Sequence, residues 1–177
     1  MNKKLLVLMV IALLPLMAFD CITDPNTLTL SLRLTPISLT YPLNDGTKTT
    51  YSGSVNINTA SLYDQSYKLT GANVYDITVA TAGPTLGNAT GTVTVNGSPL
   101  FDYSGDWTFF NTPRSLFTTS APYLIKHAAG ETALLNAILT HQTFTLAVIN
   151  GTIGTPPAAP NVDFLTISAY IQASGRR

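Results

Sequence analysis

The sequence predicts an all-β protein, a two-layer antiparallel β-sandwich of about eight or nine strands with one short helix near residues 130–141. Three observations carry that expectation. Apolar side chains alternate with Thr, Ser and Asn along most of the chain, which is the period of a half-buried strand. Turn-forming Gly, Pro and Asn-Gly pairs recur roughly every ten residues. A single stretch departs from this rhythm and repeats its apolar residues at helical spacing. Immunoglobulin-like and jelly-roll sandwiches both fit, and a barrel is the alternative. The one cysteine rules out the inter-sheet disulfide that would mark an antibody-type domain.

The first strand is expected at Thr27–Leu34, where Leu28, Leu30, Leu32 and Leu34 share one face and Thr27, Thr29, Ser31 and Arg33 the other. Pro36 interrupts it, and Ile37–Tyr41 resumes before Pro42 and the Asn44-Asp45-Gly46 turn. Thr49–Ile57 follows with Tyr51, Val55 and Ile57 on one face; Gly53 lies on that face and marks a bulge or a close neighbour. Asn73–Thr81 alternates Tyr75, Ile77 and Val79 with Asp76 and Thr78, and Gly83-Pro84 ends it. Gly91–Val95 and Leu100–Tyr103 are joined through Asn96-Gly97, the strongest hairpin signal in the chain, and Trp107–Phe110 is expected as a further short strand. Around them Tyr103, Trp107, Phe109, Phe110 and Phe117 concentrate aromatic mass that suits a core. Ala133, Leu134, Ala137 and Ile138 recur at helical spacing between Gly130 and His141, so this helix caps one end of the sandwich or crosses between its sheets. Thr143–Ile149, ended by Asn150-Gly151, and Asp163–Ala173 are the closing strands, separated by a proline-stiffened loop at 154–160.

Ahead of this domain, residues 1–18 read as a secretory signal: Lys3 and Lys4 precede an uncharged run from Leu5 to Phe19. Those fifteen residues, broken by Pro15, fall short of the roughly 18 apolar residues that a spanning helix takes. The domain plan is therefore a signal at 1–18 with its boundary between 18 and 20, a flexible lead at 19–26, and one sandwich domain at 27–174. Ala18 offers the small residue that ordinary cleavage needs just before the cut. Cys21 sits where a lipoprotein would carry its acylated cysteine, although Asp20 occupies the place where that pattern wants a small residue. Export to the bacterial surface, the medium or the periplasm is the expected localisation.

Without residues 1–18 the chain carries seven basic and nine acidic side chains, a formal charge of −2. That balance excludes an electrostatic grip on nucleic acid, and the only membrane attachment expected is a lipid at Cys21. Charged residues make up 10% of the chain, against about 25% in a typical soluble domain. Solubility must rest on hydroxyl and amide side chains, a surface with little self-repulsion to oppose association.

Catalytic chemistry finds no motif. His127 and His141 are the only histidines, they flank the expected helix, and no serine has a nucleophile-elbow setting. Asp102 and Asp106 in Asp102-Tyr103-Ser104-Gly105-Asp106 are weak calcium candidates that lack the closing glutamate of a calcium loop; shaping a turn between Phe101 and Trp107 is their simpler role. No cofactor is expected. Asn88-Ala89-Thr90, Asn96-Gly97-Ser98 and Asn150-Gly151-Thr152 match the glycosylation pattern and, behind a bacterial signal, read as turns.

Two roles remain. The first is a non-enzymatic structural subunit of a surface or envelope assembly, partnered by itself or by other envelope proteins, with the strand bearing Leu28, Leu30, Leu32 and Leu34 adding to a neighbour's sheet edge. The second is a binding module for carbohydrate or another surface ligand, using loop aromatics Tyr63, Tyr67, Trp107 and Tyr123. In its signal, its leading leucine-alternating strand and its long final strand Asp163–Ala173, the chain resembles small β-sandwich secreted and envelope proteins of Bacteroidota-like bacteria. That resemblance implies export and a sandwich fold, and it transfers no site residue.

Overall fold

The computed structural model describes residues 27–33, 37–41, 49–64, 66–81, 87–155 and 162–176. The signal segment, the lead, Cys21 and Leu34 lie outside them, so their expected roles are not addressed by the fold. The described residues form ten strands and one α-helix: β1 Thr27–Arg33, β2 Ile37–Tyr41, β3 Thr50–Ile57, β4 Lys68–Thr81, β5 Asn88–Val95, β6 Ser98–Asp106, β7 Arg114–Ser115, β8 Leu124–Lys126, α1 Ala128–Leu139, β9 Phe144–Ile153 and β10 Val162–Arg176.

All pairings are antiparallel and fall into two five-stranded sheets. In the first, β10 lies between β4 and an edge formed by β1 and β2 end to end, with β7 beside β4; the second runs β3-β9-β5-β6-β8. Taking β1 and β2 as one interrupted strand, the chain is a long folded ribbon. Its rungs are β1/β2 with β10, β3 with β9, β4 with β7, and β5 with β6. Wrapping the ribbon brings β10 against β4 and β9 against β5. That strand order is a jelly roll, which resolves the sandwich subclass.

Period-two burial builds the core. Leu165, Ile167, Ala169, Ile171 and Ala173 of β10 face Phe144, Leu146 and Val148 of β9 and Ala89, Val93 and Val95 of β5 across a single cluster of buried side chains. Two large polar rings are also inside. Tyr51 and Tyr103 meet hydroxyl to hydroxyl in the core, and Tyr51 also donates to the Thr90 carbonyl at 3.1 Å. Burial, then the neighbouring Tyr51, pushes the Tyr103 phenol well above its ordinary pKa. Glycines make the room: a Cβ on Gly91 would lie 2.5 Å from the Tyr103 hydroxyl, and one on Gly151 would lie 2.4 Å from the Tyr51 ring.

Several boundaries differ from the sequence expectation, each for a physical reason. Asn96 and Gly97 both have positive φ, 49° and 83°, and form the expected tight hairpin between β5 and β6. Asn150 also has positive φ, 53°, yet here the strand does not end. β9 bulges at Ile149 and Asn150 and continues to Ile153, and β3 answers with a register shift between Tyr51 and Gly53. Gly53 thus marks a bulge. The expected strand Trp107–Phe110 is instead a 3-10 turn, Trp107–Asn111, because Asp106 caps it by accepting from the Thr108 amide at 2.8 Å.

Helix α1 touches β4 of one sheet and β5 and β6 of the other, so it closes one end of the sandwich. Its buried face is Gly130, Leu134, Ala137 and Ile138. At Gly130 the helix backbone rests directly on β6: a Cβ there would come within 2.3 Å of Leu100 Cα. No helix among the described residues is long and apolar enough to cross a membrane.

Candidate functional site

The densest polar constellation lies on the outer face of the second sheet. Thr92 of β5 is registered opposite Asp102 of β6, and Asp102 is opposite Ile125 of β8. β8 leads straight into His127, the residue that precedes α1. Pairing therefore delivers three groups to one point. The Thr92 hydroxyl donates to Asp102 Oδ1 at 2.7 Å, and His127 Nε2 sits 2.8 Å from Asp102 Oδ2. Partial burial raises the Asp102 pKa, but the Thr92 hydroxyl and then His127 outweigh it and hold the carboxyl below its ordinary value.

A carboxylate that orients an imidazole is half of a hydrolytic relay. The other half needs a hydroxyl or thiol on the second imidazole nitrogen, and among the described residues none is placed there. Thr92 donates its hydroxyl hydrogen bond to the carboxylate. The trio therefore works as a clamp that fastens the β8–α1 junction to β6, aided by the Lys126–Glu131 ion pair at 2.8 Å.

Asp102 and Asp106 do not converge as cation ligands. Both belong to the extended strand β6, four residues and about 13 Å apart along it. Asp106 spends its Oδ1 on Thr108, accepting from both the amide and the hydroxyl, which lowers its pKa. Among the described residues no three or more His, Cys, Asp or Glu side chains group as a metal would require. The turn expected between Phe101 and Trp107 is absent too, since β6 runs unbroken to Asp106.

The four aromatics proposed as ligand contacts are also dispersed. Trp107 is fully buried and belongs to the core, so it offers no surface to a ligand. Half-buried Tyr63 donates to the Ile138 carbonyl at 2.9 Å and lies 3.0 Å from His141 Nδ1, tying down the end of α1. Tyr67 is half-buried further along the same β3–β4 connection. Tyr123 is exposed, but stacks on Phe109 at 4.3 Å. No family model and no curated protein matches this chain. Its surfaces must be read on their own chemistry.

Two further surface features stand out. Around β8, Phe117, Tyr123 and Ile125 are exposed, the Arg114 guanidinium lies 4.1 Å above Phe109, and Lys126 lies 4.4 Å above Phe117. Phe117, expected in the core, is thus a surface residue. The second feature is the strand β1, which forms a sheet edge. Leu28, Leu30 and Leu32 are registered opposite Gly175, Ala173 and Ile171, the buried positions of β10.

Proposed function

We propose that the protein is a non-enzymatic, exported subunit of a cell-surface or envelope assembly that joins copies of itself by exchanging β1. One observation carries this reading. β1 makes an unbroken seven-residue antiparallel ladder with β10 and stands at the sheet edge, so its only strand partner among the described residues is β10. The β1 of a second copy can make the same seven pairs on the same β10, which is the low-cost route of a domain swap. The weakly charged, hydroxyl-rich surface supports close approach of copies.

Thr29 and Ser174 are registered opposite each other across this ladder, and cysteines there have the separation a disulfide needs. In a Cys21→Ser background, Thr29→Cys/Ser174→Cys protein oxidised at high concentration is expected to run as covalent dimers and larger species on a non-reducing gel. Monomers cross-linked only within one chain, together with an unchanged particle size after deletion of residues 19–35, overturn the reading.

A further inference from the structure

We propose that the outer face of the first sheet carries a binding groove for a neutral saccharide, lined by Asn73, Gln172, Ser174 and Thr29, with Tyr75 exposed beside it. The inference is independent of strand exchange, because a β1 from another copy would bring an identical Thr29 to the same place.

The groove follows from two neighbouring rows of the ladder. In one row Thr29 of β1, Ser174 of β10 and Gly71 of β4 lie side by side; in the next, Gln172 of β10 is beside Asn73 of β4. Adjacent strands are about 4.8 Å apart and successive outward positions about 7 Å apart, so these groups span the dimensions of a sugar ring. Gly71 supplies the depression. With no side chain at position 71, between exposed Thr70 and Asn73, the face opens into a groove of about 350 Å³, within the range of about 300–1,000 Å³ for small-ligand sites.

Its lining selects the ligand class. Every lining residue is uncharged, and the side chains at hand are two amides and two hydroxyls. Asn and Gln each present a donor and an acceptor on one rigid plane, which matches a pair of vicinal sugar hydroxyls. Neither amide is engaged in a side-chain hydrogen bond among the described residues, so both face solvent ready to pair. Beside them stands Tyr75, two residues beyond Asn73 on the same face of β4 and 77% exposed, the largest exposure among the large apolar side chains described. It projects at a bulge, where the register with β10 skips between Val74 and Asp76. Bulges re-aim side chains in this way next to sites. An exposed aromatic ring beside amides offers the apolar platform that the C–H face of a pyranose stacks on. Lys68 and Arg176 pair at the next outward position beyond Ser174, and neither lines the groove. Recognition should therefore not depend on ligand charge or on salt.

Affinity electrophoresis of the full chain in gels containing xylan, mannan, β-glucan or starch, with alginate and heparin as anionic probes, tests this. Retardation by at least one neutral polysaccharide is expected, unchanged by added salt. It should weaken about tenfold or more in Asn73→Ala/Gln172→Ala and in Tyr75→Ala. Gly71→Leu, which fills the groove, should abolish it; if that variant unfolds, the three exposed positions decide the outcome. No retardation by any neutral polymer, retardation by the anionic polymers alone, or retardation that survives both sets of surface substitutions overturns the proposal.

Discussion

Single residues set the tolerances of this fold, and glycine is the clearest case. Gly91 sits in the middle of β5, where its flexibility alone would cost about 0.5–1 kcal/mol relative to alanine. The Tyr103 ring reverses that sign. Gly91→Ala puts a methyl 2.5 Å from a buried hydroxyl and is expected to destabilise by about 1–3 kcal/mol in urea unfolding. Tyr103→Phe in the same chain should recover part of the loss by removing the closest atom. Asp102 makes a separate, pH-dependent contribution. Its carboxyl is held below the ordinary value, so the native state binds fewer protons than the unfolded state and stability rises with pH. The benefit is complete above the unfolded carboxylate pKa, about 3.9, and is lost as pH falls through the lower native value. Urea midpoints taken at about pH 6 and pH 3 should converge more closely in Asp102→Asn than in the parent protein. The Thr92–Asp102–His127 contact was not legible in the sequence. Its members are 10 and 25 residues apart, and only the β5–β6–β8 pairing brings them together.

Among whole elements, legibility tracked how local the determining force was. The Asn96-Gly97 hairpin and α1 were readable because φ preference and helical spacing act within a few residues. Asn150-Gly151 carries the same dipeptide and yet continues the strand, since its bulge is held by the ladder to β3 and β5 and by the Tyr51 ring over Gly151. The burial of Trp107 is legible in the aromatic mass around it, but its backbone is not, because the turn that replaces the expected strand is capped locally by Asp106. Helix α1 provides a test with opposed signs. Helix propensity says that Gly130→Ala should gain close to 1 kcal/mol. The 2.3 Å approach to the β6 backbone says the helix must lift off its seat. Calorimetry is expected to show a lowered Tm for Gly130→Ala, whereas exposed Gly97→Ala, with open space around it, should lose only the cost of its positive φ, about 1 kcal/mol.

At the scale of the whole molecule, the sequence specified the class and the structure specified the winding. Alternation shows that strands exist and which face is buried, but it is silent about partners; β1 could have paired with any neighbour. What makes the jelly roll is that its rungs widen outward from the local β5–β6 hairpin to segments far apart in the chain, β1 with β10 being the widest. Non-local pairing of this kind slows folding into the range of milliseconds to seconds. β10 is also the hub of the first sheet, laddered to β1, β2 and β4. A chain shortened to end at residue 161 is expected to lose cooperative unfolding altogether, with flattened thermal melts and exposed apolar surface detected by dye binding.

The hub position of β10 has a consequence for timing. A ribosome delivers β1 through β9 before it delivers the strand on which three of them must pair. Until that strand appears, no nascent intermediate can close the first sheet, and β1, β2 and β4 wait for their shared partner. The order of elements thus delays closure of the first sheet until β10 has been made.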